Sequence, residues 1–296
     1  MLRIINLIPL EKSSNYRMNR LKDVTIIIKT LERKIQLMNQ LKSIKALKFK
    51  GEIIITDDSL LPYGNEIKEM FPKMDIKYIE LPFDTGTSKG RNLMLEKVKT
   101  KYFILCDDDF IFDPRSRIPI MKKYLVENDF DLLGGFFYEF WGSSKWQNRL
   151  LKVSKYFFKH KIVLPPFYKY FYNGNFILDN TKCIVEEVQI DDEFKICDIT
   201  HNFFIAKTDS IRKIGGWNDL LKGGEHHNFF LRAKKGGLKI GATNKCGVIH
   251  DRAMTPVNIE YSRLRERDSD YQKIALEEFG LEEFKHYNGA IYKVEK

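Results

Sequence analysis

The sequence has few cysteines, and they are widely spaced. The 296 residues include Cys106, Cys183, Cys197 and Cys246, and no two of these form a C-x-x-C pair. This spacing indicates neither a zinc knuckle nor a redox motif. Scattered cysteines suit a reducing compartment better than an oxidising one. Cys106 lies in an apolar run, which predicts a buried thiol.

The sequence also lacks a long apolar segment of the kind that crosses a bilayer. The stretch from Met1 to Leu10 is interrupted by Arg3 and Asn6. It is too short to span a membrane and has no small-residue cleavage site. We therefore expect a cytoplasmic protein, either soluble or peripheral at the inner face of the membrane.

The composition is that of a folded, basic protein. Hydrophobic residues make up 43% of the chain, charged residues make up 30%, and the formal net charge is +10. Such a surface attracts anions, including nucleotides, acidic glycans, anionic lipid and nucleic acid, and the charge alone does not choose among them. The length favours one α/β domain with an appended portion.

Short β-rich runs alternate with helical segments in the first half of the chain. The predicted elements are strands at Val24–Ile28, Glu52–Thr56, Ile76–Glu80 and Tyr102–Cys106, with helices at Lys34–Leu47 and Ser88–Val98, the latter opened by a serine cap. This order predicts a mainly parallel sheet with helices on both faces, in which ligands bind beyond the carboxyl ends of the strands.

The second half of the chain is less regular. Strand-like runs occur around Phe176 and at Asn202–Ala206, Leu238–Ile240 and Val248–His250, and helical patterns cover His226–Lys235 and Ile259–Phe279.

An apolar strand leads directly into three adjacent acidic residues, Asp107, Asp108 and Asp109. Neighbouring carboxylates repel one another, which lowers the stability of the fold, and a cation bound between them would offset that repulsion. Divalent ions such as Mg²⁺ and Mn²⁺ take oxygen ligands and keep positions open for phosphate oxygens. The pattern favours Asp107 and Asp109 as metal ligands, and a solvated acidic turn or a helix cap is the alternative.

Two more polar segments follow predicted strands. Asp57 and Asp58 come after the second strand, where a carboxylate accepts hydrogen bonds from a nucleobase or a ribose hydroxyl; Asp-Asp-Ser is also ordinary turn chemistry. Gly86 and Gly90 lie at a predicted helix start, whose free N–H groups would bind anions. A loop with a helix cap is the alternative there.

The ordered segments together resemble glycosyltransferase family 2, and in particular its β-1,4-N-acetylgalactosaminyltransferase-like members. The segments that carry the resemblance are Val24-Thr25-Ile26-Ile27-Ile28-Lys29-Thr30, Thr56-Asp57-Asp58-Ser59, Gly90-Arg91-Asn92 and Asp107-Asp108-Asp109-Phe110. The resemblance covers about Asp23 to Phe112 and resumes at Asp198 to Arg252. It implies the GT-A fold, a Rossmann-like and mainly parallel α/β sheet with a C-terminal acceptor-binding portion.

The resemblance also implies roles for individual residues. Thr30 and either Asp57 or Asp58 would meet the uridine of a UDP-sugar, and Arg91 would lie near the diphosphate. Asp107 and Asp109 would hold ribose and metal, with Asp108 counted among the nucleotide-binding residues. We expect an N-terminal extension at 1–22 and a single domain at 23–296. Its nucleotide-sugar-binding half would be 23–130, and its acceptor-binding and catalytic half 131–296.

A glycine-rich block precedes a predicted helix in the second half. Gly223-Gly224-Glu225-His226 is similar to the Gly-Gly-Glu-Asp block of related galactosyltransferases, in which a carboxylate faces the acceptor. An inverting transfer needs one base for the acceptor proton, and Glu225 is the candidate. His226 replaces the expected second acid and is the other candidate; a Glu225 that only caps the helix is the structural alternative.

His250 ends a predicted strand and is the third candidate metal ligand, since related galactosyltransferases have a histidine in a comparable place. An imidazole ligand favours Mn²⁺ over Mg²⁺.

The stretch from Trp141 to Tyr172 is both basic and aromatic. Its aromatic faces would dock a glycan or lipid-linked acceptor, or its cations would contact an anionic membrane. An irregular insertion with solvated lysines is the third interpretation.

The predicted function is metal-dependent, inverting transfer of a hexose or N-acetylhexosamine from a UDP-sugar to a glycan or glycolipid hydroxyl, in surface polysaccharide or lipooligosaccharide synthesis. A nucleotidyltransferase that uses a metal-bound nucleotide triphosphate is one alternative, although the first loop, Thr30-Leu31-Glu32-Arg33, has no glycine. A nucleic-acid-binding protein is another, although the charge is dispersed and no recognised motif occurs. A glycosidase would need two carboxylates flanking one bond, without a metal. We expect no nucleic-acid partner.

Overall fold

The computed structural model describes residues 18, 21–140, 167–251, 262–264 and 267–294. Three sequence-based predictions lie wholly or largely outside these ranges: the apolar stretch at 1–10, most of the basic aromatic stretch at 141–172, and the first part of the helix predicted from Ile259. In the described part of the chain, no helix has the length and apolar character needed to cross a membrane.

A large mixed sheet forms the centre of the fold. Among the described residues, its strands follow the order β10-β12-β6-β11-β4-β1-β2-β3, with β5 paired to β12 and β7 paired to β6. The strands of this sheet are β1 (Val24–Thr30), β2 (Ile53–Asp57), β3 (Ile76–Glu80), β4 (Tyr102–Asp107), β5 (Phe110–Ile111), β6 (Leu132–Phe140), β7 (Phe167–Tyr170), β10 (Phe194–Ile196), β11 (Phe204–Lys207) and β12 (Ile240–His250).

A smaller sheet of four strands accompanies the central one, in the order β14-β13-β9-β8. Its strands are β8 (Gly174–Asp179), β9 (Lys182–Glu187), β13 (Glu283–Lys285) and β14 (Ile291–Lys293). The helices are α1 (Lys34–Ala46), α2 (Gly64–Met70), α3 (Thr87–Lys97), α4 (Ile118–Glu127), α5 (Thr208–Lys213), α6 (Glu225–Lys235) and α7 (Asp268–Glu277).

The four strands predicted in the first half run parallel, as the βα alternation requires. β1 lies between β2 and β4, with Thr30 opposite Asp57 and Lys29 opposite Asp107. The carboxyl ends of these strands therefore meet at one edge of the sheet, which brings the polar segments that follow them together.

Alternate residues of the central strands pack on opposite faces of the sheet. Ile26 and Ile28 belong to one hydrophobic core, whereas Ile27 belongs to the other. Helix α1 covers the first core with Leu37 and Leu41, which are spaced one helical turn apart. Burial of each such side chain contributes about 1.5–3 kcal/mol. The predicted α/β architecture is confirmed.

The second half differs from the sequence-based prediction in three places. The runs at Leu238–Ile240 and Val248–His250 belong to one long strand, β12, with a register shift between Ala242 and Gly247. β11 is antiparallel to both of its neighbours, so the sheet is mixed. The small sheet was not predicted, because its pairing of β9 with β13 joins segments far apart in the sequence.

Candidate active site

The three adjacent aspartates lie at the carboxyl end of β4 and are neutralised by arginines. Arg33, in the loop after β1, places Nη1 3.0 Å from Asp108 Oδ1 and donates from Nη2 to Asp109 Oδ2 at 2.7 Å. Thr30 Oγ1 donates to Asp108 Oδ2 at 2.7 Å. The repulsion that the sequence suggested would require a metal is therefore offset here by side chains of the protein itself.

Burial and charge affect the neighbouring carboxylates in opposite ways. Burial raises the pKa of Asp108 to about 7, although the charge of Arg33 opposes this. Burial also acts on Asp109, but the hydrogen bond from His250 and the charges of His250 and Arg33 hold the pKa of Asp109 below its ordinary value. Asp109 is accordingly the carboxylate that keeps its negative charge most firmly.

His250 reaches Asp109 because β12 ends alongside β5. His250 is paired with Phe110, and Asp251 N donates to Asp109 O at 2.9 Å. His250 Nε2 lies 3.2 Å from Asp109 Oδ2, and its ring packs against Phe137 with centroids 5.1 Å apart. Two of the three predicted metal ligands are thus in direct contact.

Arg91 connects the aspartates to the second half of the chain. From α3, its Nη2 donates to Asp107 Oδ1 at 2.8 Å and its Nη1 donates to Glu225 Oε1 at 2.6 Å. Only 3% of the Arg91 side chain is exposed, against 34% for Asp107 and 9% for Glu225. One guanidinium therefore joins the predicted nucleotide-binding edge to the predicted base.

Three N–H groups at the start of α3 donate to other parts of the protein, so the prediction that these groups are free for an anion is wrong. Gly86 N donates to Asp58 Oδ2 at 2.8 Å, Thr87 N donates to Lys222 O at 3.1 Å, and Ser88 N donates to Leu221 O at 3.3 Å. The residue before the helix is Gly86, and no side chain caps it, so the predicted serine cap is also wrong. The amide groups of Thr87 and Ser88 instead donate to the loop that precedes α6.

This close approach depends on a glycine. Gly86 has a φ of 102°, and a Cβ built there would lie 2.8 Å from the Lys222 Cα. A larger residue would be strained and would also push the two loops apart. Asp84 reinforces the same junction, because its carboxylate accepts from Lys222 Nζ at 2.9 Å and from both Nη atoms of Arg267, at 3.0 and 2.9 Å.

Asp57 and Asp58 are fully buried and serve local contacts in this structure. Asp57 accepts hydrogen bonds from Ser59 N at 2.8 Å and from the Tyr78 hydroxyl. Asp58 is ion-paired with Lys29 and accepts from Gly86 N. A nucleotide contact through either carboxylate requires a local rearrangement, because both are fully buried.

Glu225 and His226 form the first turn of α6. The helix begins after Gly224, which has a left-handed φ of 65°, a conformation that favours glycine. Glu225 is buried. His226 Nε2 lies 2.7 Å from Thr200 O; because a carbonyl only accepts, Nε2 carries the proton and Nδ1 is the unprotonated nitrogen. Burial lowers the pKa of His226 to about 4.

The structure adds residues to this region that the sequence did not identify. Arg33 was noticed only as part of a loop without glycines, and its position directly after β1 was the available signal. Tyr172, at the described end of the basic aromatic stretch, contacts His226 with ring centroids 5.1 Å apart and stacks on His286 at 4.1 Å. The small sheet carries His286 to this position, which no local pattern indicates.

The predicted metal ligands fit a divalent cation in part. Asp109 Oδ1 is buried and has no hydrogen-bond partner among the described residues, and the neighbouring His250 imidazole completes a donor pair that suits Mn²⁺. However, within the described ranges, no group of three or more acidic, histidine or cysteine side chains is arranged to hold an ion. The residues supply suitable donors without a preassembled three-ligand site.

Related sequences include several sugar transferases. The chain is 28% identical over 253 residues to β-1,4 N-acetylgalactosaminyltransferase 1 of Mus musculus, and 30% identical over 247 residues to that of Rattus norvegicus. Each alignment covers 81% of this chain and 41% of the relative. The chain therefore spans about two fifths of the length of these curated relatives.

Two solved structures with a similar fold hold nucleotide-sugars. Residues 1–349 of S. aureus TarS in complex with UDP-GlcNAc match with a TM-score of 0.58 at 13% identity, over 86% of this chain and 65% of that one. The mannosyltransferase PcManGT from Pyrobaculum calidifontis, in complex with GDP-Man and Mn²⁺, matches with a TM-score of 0.53 at 13% identity, over 87% and 64%. The predicted GT-A fold is confirmed.

The family assignment comes from the sequence itself. The family model described as "Glycosyl transferase family 2" matches residues 25–185, which is more than half of the 296 residues. The matched range contains all of β1 but its first residue, β2 to β4, the three aspartates and Arg91. The chain belongs to glycosyl transferase family 2.

Proposed function

We propose that this protein is a metal-dependent, inverting glycosyltransferase that moves a hexose or N-acetylhexosamine from a UDP-sugar to a hydroxyl of a glycan or glycolipid. The observation that carries the proposal is the convergence of Asp107, Asp109, His250 and Glu225 at one edge of the sheet: Arg91 links Asp107 to Glu225, and His250 contacts Asp109. The four residues come from three separate segments, and together they supply a nucleotide-binding edge, candidate metal donors and a candidate base.

The UDP-sugar donor is supported by the relatives. Two relatives in sequence are named as β-1,4 N-acetylgalactosaminyltransferases, and TarS has been solved with UDP-GlcNAc. UDP-N-acetylhexosamines are therefore the first donors to test. Thr30, Asp57 or Asp58, and Asp107 and Asp108 are the proposed contacts to the nucleoside, all of them at the carboxyl edge of the parallel strands.

Mn²⁺ or Mg²⁺ is the proposed cofactor, with Asp107, Asp109 and His250 as its candidate ligands. A bound divalent cation supplies charge stabilisation to a departing diphosphate. Arg33 already bridges Asp108 and Asp109, so it reduces the net negative charge of the aspartate group that an incoming cation would meet. Asp109 Oδ1, which is buried and lacks a hydrogen-bond partner among the described residues, is the oxygen best placed to become a ligand.

Proton removal from the acceptor is assigned to the start of α6. An inverting displacement needs one base that accepts the hydroxyl proton as the new glycosidic bond forms. Glu225 is the proposed base, because Arg91 fixes one of its oxygens at the start of α6. His226 is the second candidate, since its Nδ1 is the unprotonated nitrogen and its ring orientation is set by Thr200.

The proposed partners are the nucleotide-sugar donor and a glycan or lipid-linked acceptor, in surface polysaccharide or lipooligosaccharide synthesis. Tyr172 and His286 form an aromatic pair beside His226, and aromatic faces pack well against sugar rings. We place acceptor docking there. A cytoplasmic location, with peripheral contact to the membrane that carries a lipid-linked acceptor, completes the proposal.

Release of UDP from a panel of UDP-sugars tests this function. The panel contains GalNAc, GlcNAc, galactose and glucose donors, each with Mn²⁺, with Mg²⁺ and with a chelator, and with simple sugar acceptors. We expect one or two donors to be consumed only with metal, and product NMR to show an inverted anomeric centre. Consumption of a nucleoside triphosphate with release of pyrophosphate would instead identify a nucleotidyltransferase.

A further inference from the structure

The Arg91 guanidinium lies between two carboxylates that belong to different halves of the chain. Asp107 ends β4 and Glu225 begins α6, and Arg91 donates to each through a separate Nη atom, at 2.8 and 2.6 Å. The fork geometry of a guanidinium suits two acceptors at fixed positions, whereas an ammonium group is a single point charge. Arg91 therefore sets the position of Asp107 relative to Glu225.

Arg91 is enclosed by its protein contacts. Its side chain is 3% exposed, and its guanidinium also lies over the face of Trp217, 5.7 Å from the guanidinium carbon to the ring centroid. Nε has no hydrogen-bond partner among the described residues, but it is buried. To reach this enclosed guanidinium, a diphosphate would have to move Asp107 or Glu225 away, and the buried Glu225 would then lose its charge partner, which is costly.

The loop that precedes α6, and so leads into Glu225, is attached to α3 independently of Arg91. Thr87 N and Ser88 N donate to the carbonyls of Lys222 and Leu221. Asn92 donates through Nδ2 to Trp217 O at 2.7 Å and accepts from Trp217 N at 2.9 Å. Loss of the Arg91 side chain would leave these backbone contacts in place, so the loop would stay docked while the two carboxylates lost their shared cation.

We propose that Arg91 is a positioning residue, which orients the Glu225 carboxylate for proton removal and fixes it to the Asp107 edge, rather than a ligand of the donor diphosphate. This inference rests on the proposed function. It makes Arg91 act through Glu225, so its loss would impair the transfer step. Donor binding would persist, because the pairing of β4 with β1 keeps Asp107 at its place in the sheet. A diphosphate ligand would show the opposite pattern, because its loss weakens the binding of donor and of UDP.

The test compares Arg91→Gln and Arg91→Lys with the wild-type protein, by steady-state kinetics and by calorimetric UDP binding with Mn²⁺. For Arg91→Gln we expect kcat to fall about 100-fold, because misplacement of a reacting group is costly, while the donor KM and the Kd for UDP change less than about threefold. For Arg91→Lys we expect a kcat loss of about tenfold, because one ammonium holds one of the two carboxylates.

Lys97→Gln is the matched control, since Lys97 is an exposed cation in the last turn of the same helix; its kinetics should equal those of the wild type. Melting temperatures identify any variant that fails to fold, and Arg91→Lys keeps the charge if Arg91→Gln does not fold. A UDP affinity that falls tenfold or more in either variant, with kcat preserved, overturns the inference.

The two proposals fail in different ways. If the wild-type protein transfers sugar and the Arg91 variants lose UDP affinity, only the positioning role is wrong. If the wild-type protein consumes no UDP-sugar with either metal, the proposed function is wrong, and the role of Arg91 falls with it.

Discussion

His250 Nε2 lies 3.2 Å from Asp109 Oδ2, a contact between the last residue of β12 and the segment that follows β4. The pairing of β12 with β5 produces it, because the register places His250 opposite Phe110. The backbone of Asp251 adds a hydrogen bond to Asp109 O. The relationship is thus built from main-chain geometry, and it holds an imidazole beside the most firmly ionised aspartate of the three.

Asp109→Asn should remove metal-dependent activity with little effect on the fold. The amide keeps the size of the side chain but removes the charge and one oxygen donor, so we expect Mn²⁺ affinity to fall tenfold or more, by roughly the amount that altered metal environments cost, and turnover to fall about 100-fold. Calorimetric titration with Mn²⁺ and the UDP-release assay measure the two effects.

Asp113→Asn is the control for Asp109→Asn. Asp113 is also buried and also pairs with an arginine, Arg115, but it is not a candidate ligand. Equal loss of Mn²⁺ affinity in both variants would show that Asp109 acts through the fold and not as a ligand.

Glu225→Gln should abolish transfer and leave the affinity for UDP unchanged. The amide still accepts a hydrogen bond from Arg91, but it cannot take the acceptor proton, and loss of a general base costs about 100- to 10,000-fold. The measurement is turnover together with UDP binding. Glu278→Gln is the matched control, because Glu278, the residue after α7, is likewise a carboxylate paired with an arginine, Arg232.

The same series includes His226→Gln. If Glu225→Gln keeps near-normal turnover while His226→Gln loses it, the proton acceptor is His226, and the assignment of Glu225 is wrong.

Gly86→Ala should destabilise the protein and lower turnover. The alanine would adopt a φ that side chains disfavour, and its Cβ would meet the Lys222 backbone at 2.8 Å; strain of this kind costs about 1–3 kcal/mol. Gly237→Ala separates the strain of a positive φ from the clash of the added Cβ. Gly237 also has a positive φ, 73°, but an added Cβ there meets nothing within 4 Å.

Urea unfolding and turnover are the readouts for these two glycine variants. We expect Gly237→Ala to lose stability only, and Gly86→Ala to lose both stability and turnover. Full turnover in a folded Gly86→Ala protein would show that the spacing between α3 and the 219–224 loop does not matter for catalysis.

The stability of the fold should decrease as the pH falls below about 6.5. Burial lowers the pKa values of His201, His226, His227 and His286. The unfolded chain therefore binds more protons than the native one between pH 6.5 and the lowered values, about 4 for His226. Each histidine contributes a loss of about 1.4 kcal/mol per pH unit within that window.

Urea unfolding at pH 7.5 and 5.5 measures this dependence, and His286→Phe is the informative variant. His286 is 1% exposed and stacked on Tyr172, so a phenylalanine keeps the packing and removes one titrating group. Its stability should depend less on pH than that of the wild type. An unchanged pH dependence in His286→Phe would contradict a native-state pKa below that of the unfolded chain.

The sequence predicted those parts of the fold that depend on local patterns. The apolar run Ile53-Ile54-Ile55 predicts a buried strand, and the helical spacing of Leu37 and Leu41 predicts a buried helix face. The carboxyl ends of strands in a parallel sheet lie at one edge of the sheet. Asp107 and Asp109 followed from that rule. The assigned roles of the site residues stay predictions until the variants above are measured.

Other features depend on contacts between segments that are distant in the sequence, and local patterns do not report them. The N–H groups at the start of α3 looked free because nothing near Gly86 shows that Leu221 and Lys222 would reach them. Arg33 was overlooked for the same reason, since its partners, Asp108 and Asp109, lie in the segment that follows β4. The small sheet was missed because short strands such as β13 pair only through the tertiary fold.

The melting temperature of the wild-type protein with UDP, with Mn²⁺, and with both tests most directly whether the two ligands share one site. We expect the two ligands together to raise the melting temperature by more than the sum of their separate effects, because each completes the other's binding site. We expect no comparable shift with ATP and Mn²⁺, and no cooperative shift in Asp109→Asn. Additive shifts in the wild type, or an equal response to ATP, would contradict a shared site for a UDP-sugar and a divalent cation.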